Sequence, residues 1–170
     1  TYRTTYPKIA AFWKTAGKAL DAILSNQTMS FGRDGVLQVE GSNGIKLPNG
    51  LYIKYPNLRF IANHEDGKRE MAYDVKKGKA WIPNRIYGGK VVENVCQALA
   101  RIIIGDQMLL IAKKYRVVMT VHDAIACIVL KDEVERAQEY VEMCMRIRPK
   151  WASELPLNCE AGYGESYGDC

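Results

Sequence analysis

The chain has 170 residues, of which 48% are hydrophobic and 25% are charged, and its formal net charge is +5. These proportions are ordinary for one globular domain and exclude an intrinsically disordered chain. No uninterrupted apolar run approaches the roughly 20 residues that a membrane-spanning helix needs, and the first residues lack a secretory pattern. We therefore expect a cytoplasmic or otherwise intracellular protein with no membrane partner.

The positive charge and the cysteines narrow the class of protein only slightly. A mildly basic balance suits contact with phosphates, although many proteins without a nucleic-acid partner are equally basic. The five cysteines form no CxxC pair. An odd number without that spacing favours reduced thiols over a disulfide framework or a zinc site.

The first half of the chain predicts one helix and then a region of hairpins. Apolar residues at helical spacing predict a helix over 6–24, with Pro7 in its first turn. From Ser25 to about Arg85, closely spaced Gly, Asn and Pro residues interrupt short strand-like pieces. We interpret this middle region as hairpins and loops.

The second half predicts a long helix, a hairpin, a second helix and a final strand. The long helix covers about 90–114, and two apolar strands follow at 117–121 and 125–130 with a polar turn between them. An amphipathic helix is expected from Lys131, ending before Pro149, and one more strand after position 156. These elements predict an α+β fold in which an antiparallel sheet is backed by helices.

The pair His122-Asp123, in the turn between the two apolar strands, is the first candidate for chemistry. A carboxylate fixed at the rigid end of a hairpin is a suitable hard-oxygen ligand for Mg²⁺. In a two-metal phosphoryl-transfer site, ions ~4 Å apart clamp the attacking and leaving oxygens, so a second carboxylate must come from another segment. The alternative is that Asp123 simply forms the turn and that His122 makes a structural hydrogen bond.

The long predicted helix carries polar residues at spacings of three or four, which form one stripe on an otherwise apolar helix. They are Lys90, Glu93, Asn94, Gln97 and Arg101. Such an apolar helix should be mostly buried, so the stripe should face a wet or ligand-filled groove. Asn and Gln can hydrogen-bond base edges in the minor groove, and Lys and Arg can reach phosphates. The alternative is a solvated face with a few helix-supporting ion pairs.

Several motifs, taken in order, resemble family A DNA polymerases, the bacterial polymerase I and phage group. Val121-His122-Asp123 between two apolar strands resembles motif C, and 87–101 resembles the palm helix that precedes it in phage members. The segment 2–13 is similar to the fingers segment after the nucleotide-binding helix, and 47–56 to the connecting hairpin. The Gly-rich end, 160–167, is similar to the terminal strand of the family, which would make Cys170 the natural carboxy terminus.

The resemblance implies a DNA-directed DNA polymerase that uses Mg²⁺, dNTPs and primer–template DNA. It implies that Asp123 binds the catalytic metals and that His122 lies near the terminal phosphate of the primer. Asn94 and Gln97 would face the minor groove of the new duplex, assisted by Lys90 and Arg101. The implied organisation is the end of the fingers at 1–34, a connecting region of hairpins and loops at 35–86, and a palm with motif C at 87–170.

The chain also departs from the family pattern. Ala124 stands where many members have Glu, and Tyr167 where a Trp is common. Motif A, with the other metal-binding Asp, and the fingers helix that holds the triphosphate are not recognised, and the sequence has no initiating Met. We therefore expect a carboxy-terminal fragment, from a split gene or a partial sequence, that is inactive without its amino-terminal portion and exposes the apolar surface that this portion would cover.

Two other functions fit parts of the pattern. The first is a non-catalytic nucleic-acid-binding module that uses the helix stripe without metal chemistry. The second is an unrelated hydrolase in which His122 and Asp123 form an acid–base pair. Adjacent strand residues point to opposite faces of a sheet, which makes a direct pair awkward.

Overall fold

The structure is a computed structural model that describes residues 2–62 and 69–170. Within these ranges the fold is mixed α+β, with small antiparallel sheets and backing helices, as predicted. Residue 1 and residues 63–68, parts of the predicted 1–34 and 35–86 regions, lie outside the described residues. The chain divides into two compact units, Thr1–Ala98 and Leu99–Cys170.

The first unit begins with a short helix, α1 (Tyr2–Thr5), and the predicted first helix, α2 (Pro7–Leu24). Proline at the start of α2 lacks the N–H that would be unpaired there in any case. The small residues of α2 let a second helix approach closely: a Cβ on Gly88 would lie 1.9 Å from the carbonyl oxygen of Trp13. Glycine at position 88 is therefore required for this contact.

A four-stranded antiparallel sheet follows, in the order β1-β2-β3-β4. Its strands are β1 (Thr28–Phe31), β2 (Leu37–Glu40), β3 (Ile45–Lys46) and β4 (Tyr52–Ile53). Alternate residues of β2 are buried, which places Leu37 and Val39 in the core. On the other face, Glu40 accepts hydrogen bonds from Lys46 (2.7 Å) and from Tyr52.

A second antiparallel sheet has three strands, β5 (Arg59–Ala62), β6 (Arg69–Lys77) and β7 (Ala80–Ile86). These two sheets are the hairpins predicted for the middle of the chain. Ala72 of β6 and Ile86 of β7 are buried, whereas the rest of β7 is exposed.

The long predicted helix is α3 (Gly88–Ile111), which runs from the first unit into the second. The prediction that it is mostly buried was wrong: six of its residues are buried, and Leu109 is 63% exposed. By length and composition α3 could cross a membrane, and no other helix in the described ranges meets that test. This result alone does not indicate a membrane protein, because the core helix of a soluble protein can meet it too.

The second unit contains the predicted hairpin, β8 (Arg116–Val121) and β9 (Ala124–Ile128), followed by α4 (Val134–Met145). Its core is formed by Ile111, Tyr115, Ala137 and Cys144. The side-chain amide of buried Gln107 donates to the carbonyl of Met145 at 2.6 Å, which satisfies a carbonyl at the end of α4.

The prediction of a strand after position 156 was wrong, because residues 157–166 form no regular element and 167–169 form a 3-10 helix. The segment lies along α4, and its polar groups accept hydrogen bonds from side chains of Gln138 and Arg146. Gln138 donates to the carbonyl of Ala161 at 3.0 Å, and Arg146 donates to the side chain of Asn158 at 3.1 Å. Contacts with helix side chains thus replace the ladder that a strand would need.

Candidate functional site

The hairpin of the second unit presents His122 and Asp123 at its tip. Val121 pairs with Ala124, so these two residues form the whole loop. Two-residue loops need left-handed backbone at one or both central positions, and His122 has φ 52°. Both side chains are exposed. The sequence prediction of a carboxylate on a hairpin tip is therefore confirmed as local geometry.

The carboxylate of Asp123 is free of hydrogen bonds and ion pairs to the residues that the structure describes. An exposed, unpaired carboxylate can ligate a hard cation such as Mg²⁺. Over residues 2–62 and 69–170, however, no three His, Cys, Asp or Glu side chains are grouped where they could hold a metal ion together. Asp123 therefore fits one ligand position of a metal site, and the remaining ligands must come from elsewhere.

The geometry also bears on the hydrolase alternative. His122 and Asp123 are turn residues, so the argument from strand alternation does not apply to them. The structure contains no hydrogen bond between their side chains. An acid–base pair at the tip would need that contact, so this alternative has no geometric support.

On α3, Lys90 is held by a neighbouring carboxylate. Its ammonium lies 2.9 Å from both carboxylate oxygens of Glu93, three residues along the helix. The hydrogen bond to Glu93 raises the pKa of Lys90 above its ordinary value, and the charge of Glu93 adds to this effect. The pair is the helix-supporting arrangement that the sequence left open as an alternative.

Asn94 faces a hydroxyl of its own unit. Its side-chain amide donates to the phenolic oxygen of Tyr55 at 3.2 Å, and Tyr55 is buried with its ring edge-on to Tyr73. Burial raises the pKa of the Tyr55 phenol, against the hydrogen bond from Asn94. Asn94 thus has one fixed partner and keeps its amide oxygen for another.

Gln97 and Arg101 are exposed, and neither makes a hydrogen bond or ion pair with the described residues. Both side chains are therefore available to an external partner. Gln97 belongs to the first unit with Lys90 and Asn94, whereas Arg101 belongs to the second with His122 and Asp123. The six predicted site residues thus fall into two groups.

Sequence reasoning missed Tyr55 as a neighbour of the predicted site. It lies 39 positions before Asn94, and no local spacing relates the two. The Tyr55-Pro56 pair was recognised as part of a connecting hairpin, and no signal in the sequence relates it to Asn94.

Comparison with known proteins gives one informative match. The chain is 29% identical over 172 aligned residues to a DNA polymerase of Bacillus phage SP02. The alignment covers 98% of this chain and 26% of the phage protein, so the chain spans about a quarter of the length of that relative. No family model and no solved structure matches the chain. The predicted resemblance to a phage DNA polymerase is confirmed along nearly the whole chain.

Proposed function

We propose that this chain is the carboxy-terminal part of a family A DNA-directed DNA polymerase and carries its motif C. The observation that carries the proposal is the β8–β9 hairpin, whose two-residue loop presents Asp123, within a chain similar to a phage DNA polymerase over 98% of its length. Three regions are assigned: fingers at 1–34, connection at 35–86 and palm at 87–170. The reaction is template-directed transfer of a nucleotide to a primer.

The cofactor of this proposal is Mg²⁺. The bound ions would activate the primer hydroxyl and neutralise charge on the phosphates of the incoming nucleotide. Asp123 would hold one ligand position, and the two-residue turn fixes the backbone from which its carboxylate projects. His122, beside it, is suited to donate a hydrogen bond to the terminal phosphate of the primer.

The DNA-binding role of α3 rests on its polar residues. Gln97 and Arg101 have no competing partners in the described ranges, so they can reach the minor groove and a phosphate, respectively. Asn94 offers the oxygen that Tyr55 does not use. Lys90 is shared with Glu93, so its contribution to phosphate binding is the weakest of the four.

The proposal includes an amino-terminal portion as a partner that completes the site. Its support is the apolar surface of the second unit, where large side chains are exposed on the hairpin and beside it. They are Leu109, Val118, Met119, Val121, Ile128, Leu130 and Met143. Several large apolar side chains exposed on one hairpin favour an interface, and an amino-terminal portion that supplies further metal ligands is the partner that would use it.

A second candidate is a non-catalytic module that binds nucleic acid through α3. The observation that favours it is that Asp123 is the one carboxylate in the hairpin turn, and that no three His, Cys, Asp or Glu side chains of the described residues are grouped to hold a metal. It predicts that replacing Asp123 has no effect on the function of the assembled protein.

Primer extension tests the proposal. The chain is mixed with the polypeptide encoded upstream, a primed template, dNTPs and Mg²⁺, and each component is omitted in turn. We expect extension only in the complete mixture, and its loss when EDTA removes the metal. A mixture that forms a stable complex and binds primed DNA but extends no primer would favour the non-catalytic module.

A further inference from the structure

The β6–β7 hairpin extends beyond the rest of its sheet. β5 pairs with the first four residues of β6, from Arg69 to Ala72, whereas β7 pairs with β6 from Met71 to Lys77. The far half of the hairpin, 73–84, is therefore a ribbon of two strands. Along β7, every residue from Ala80 to Arg85 is exposed.

The turn of this ribbon is short and well defined. Lys77 pairs with Ala80, so Gly78 and Lys79 form a two-residue loop. Gly78 has φ 62°, a conformation that two-residue hairpin loops require and that glycine adopts without strain. The ribbon tip, which we define as residues 76–81, is therefore held by a tight turn.

The ribbon tip carries unbalanced positive charge. Residues 75–86 include no acidic side chain. The acids further down the hairpin already have cations: Glu70 pairs with Arg85 at 2.9 Å and Asp74 pairs with Arg59 at 2.8 Å. The three lysines of the tip make no ion pair with the described residues. They are Lys76, Lys77 and Lys79.

An exposed indole lies beside Lys76, whereas Lys77 projects from the opposite face of the ribbon and Lys79 lies in the turn. Trp81 is 61% exposed and is directly opposite Lys76 across the two strands, so both side chains project from the same face. Tryptophan usually buries most of its surface, so an exposed indole needs a partner to cover it. Lysines and a free aromatic ring together match the phosphates and the unpaired bases of a nucleic-acid single strand.

We propose that the ribbon tip binds single-stranded DNA, with Lys76, Lys77 and Lys79 on phosphates and Trp81 stacked on an unpaired base. A single strand fits better than a duplex because its bases expose a face for stacking. The inference rests on the proposed function, since the unpaired template of a primed DNA is such a strand. It adds a DNA contact outside the hairpin of Asp123 and the polar residues of α3.

Substitutions of Trp81 test the stacking contact. The full chain is titrated into fluorescently labelled oligo(dT), and binding is followed by anisotropy. We expect Trp81→Ala to weaken binding by about tenfold, whereas Trp81→Phe, which keeps a ring, loses much less. Thermal unfolding checks that the variants are folded, as expected for an exposed side chain.

The lysines are tested by charge and by salt. Replacing Lys76, Lys77 and Lys79 together by Gln should lower the slope of log K against log salt concentration by about 2, since each lost phosphate contact on a single strand contributes about 0.7. The matched control replaces Lys14, Lys18 and Lys150, which are also exposed, by Gln. The control variant loses the same charge and should keep most of the salt dependence of oligo(dT) binding.

The inference would be overturned by no binding of oligo(dT) to the unsubstituted chain, by equal weakening in the control triple variant, or by unchanged binding of Trp81→Ala. The inference would also be contradicted if the variant with Lys76, Lys77 and Lys79 replaced by Gln lost binding to anionic lipid vesicles but bound oligo(dT) normally. The outcome is separate from that of the proposed function. Asp123→Ala should keep oligo(dT) binding while primer extension is lost, so either claim can fail alone.

Discussion

At the scale of single residues, the loop of the β8–β9 hairpin combines backbone strain with an exposed carboxylate. His122 has φ 52°, in the left-handed region that costs most residues about 1–2 kcal/mol and that His, Asn and Asp tolerate best. A two-residue turn requires this conformation in any case, so the backbone at His122 is explained by the turn, and the case for a site rests on the exposed carboxylate beside it.

Substitution of His122 separates backbone conformation from imidazole chemistry. We expect His122→Val to lower the free energy of unfolding by about 1 kcal/mol, because a β-branched residue resists positive φ. His122→Asn should fold with near-normal stability, since Asn tolerates this conformation, but should extend primers more slowly. Urea denaturation gives the stabilities, and equal stability of the Val variant and the unsubstituted chain would contradict the strain.

Position 123 was predictable because the signal is local. Two apolar runs separated by a few polar residues indicate a hairpin, and the residues between them must lie at its tip. The contact of Asn94 with Tyr55 was not predictable, because it joins segments 39 residues apart through side chains alone. The sequence already allowed the ion pair of Lys90 with Glu93 as an alternative to a DNA-facing stripe, because residues three apart on a helix are neighbours.

At the scale of elements, substitutions on α3 can separate effects on stability from effects on the binding of primed DNA. Asn94→Ala should lower the free energy of unfolding by about 1 kcal/mol, because it leaves the buried Tyr55 hydroxyl without its partner. Gln97→Ala, at an exposed position, should change stability by less than about 0.5 kcal/mol. Both should weaken binding of primed DNA, as measured by anisotropy.

Tyr55→Phe is the matched control for these two variants. It removes the same hydrogen bond as Asn94→Ala and keeps the amide of Asn94, so it should lose stability and retain affinity for primed DNA. Equal losses of DNA affinity in Tyr55→Phe and Asn94→Ala would contradict a direct contact of Asn94 with DNA.

A carboxylate in the four-stranded sheet of the first unit makes the free energy of unfolding depend on pH in the acid range. Hydrogen bonds from Lys46 and Tyr52 lower the pKa of Glu40. A carboxylate with a lowered pKa contributes its full stabilisation above its ordinary pKa of 4.5, and the contribution is lost as the pH falls through the lowered folded value. Glu40→Gln should therefore be less stable than the unsubstituted chain at neutral pH.

The difference between the two chains should shrink as the pH falls below 4.5, because Glu40 then binds a proton in the unfolded chain, and it should be lost once folded Glu40 is protonated at its lowered pKa. Urea midpoints measured at several pH values between neutral and strongly acidic conditions test this. A difference that persists unchanged in acid would contradict the contribution of the Glu40 carboxylate.

The elements show where sequence patterns succeed and where they fail. Helices α2 and α4 and the β8–β9 hairpin follow from periodicity and turn residues, which are local properties. The predicted strand after position 156 failed because a strand needs a neighbouring edge. In this structure the segment finds hydrogen-bond partners on α4 instead, through Gln138 and Arg146.

At the scale of the whole molecule, the proposed partner explains why large apolar side chains of the second unit are exposed. Ile128 and Leu130, at the end of the hairpin, are 62% and 67% exposed. We expect the isolated chain to self-associate, and the upstream polypeptide to convert it into a complex of one copy of each. Light scattering coupled to size-exclusion chromatography measures both states.

A double substitution tests which surface forms that interface. Ile128→Glu with Leu130→Glu should reduce self-association and weaken the complex, because both side chains would have to bury a charge. The control is Leu51→Glu, at an equally exposed position in the first unit. Complex formation that is insensitive to the double substitution would contradict the assignment of this surface.

The most direct test of the central claim is primer extension by the complete complex carrying Asp123→Ala. We expect the rate to fall by about 10³-fold or more, since a metal ligand contributes several kcal/mol to the transition state, while affinity for primed DNA is unchanged. Glu139→Ala, which removes an exposed carboxylate from α4, is the control and should extend primers normally. Normal extension by Asp123→Ala would contradict the polymerase account and leave DNA binding through α3 as the function of the chain.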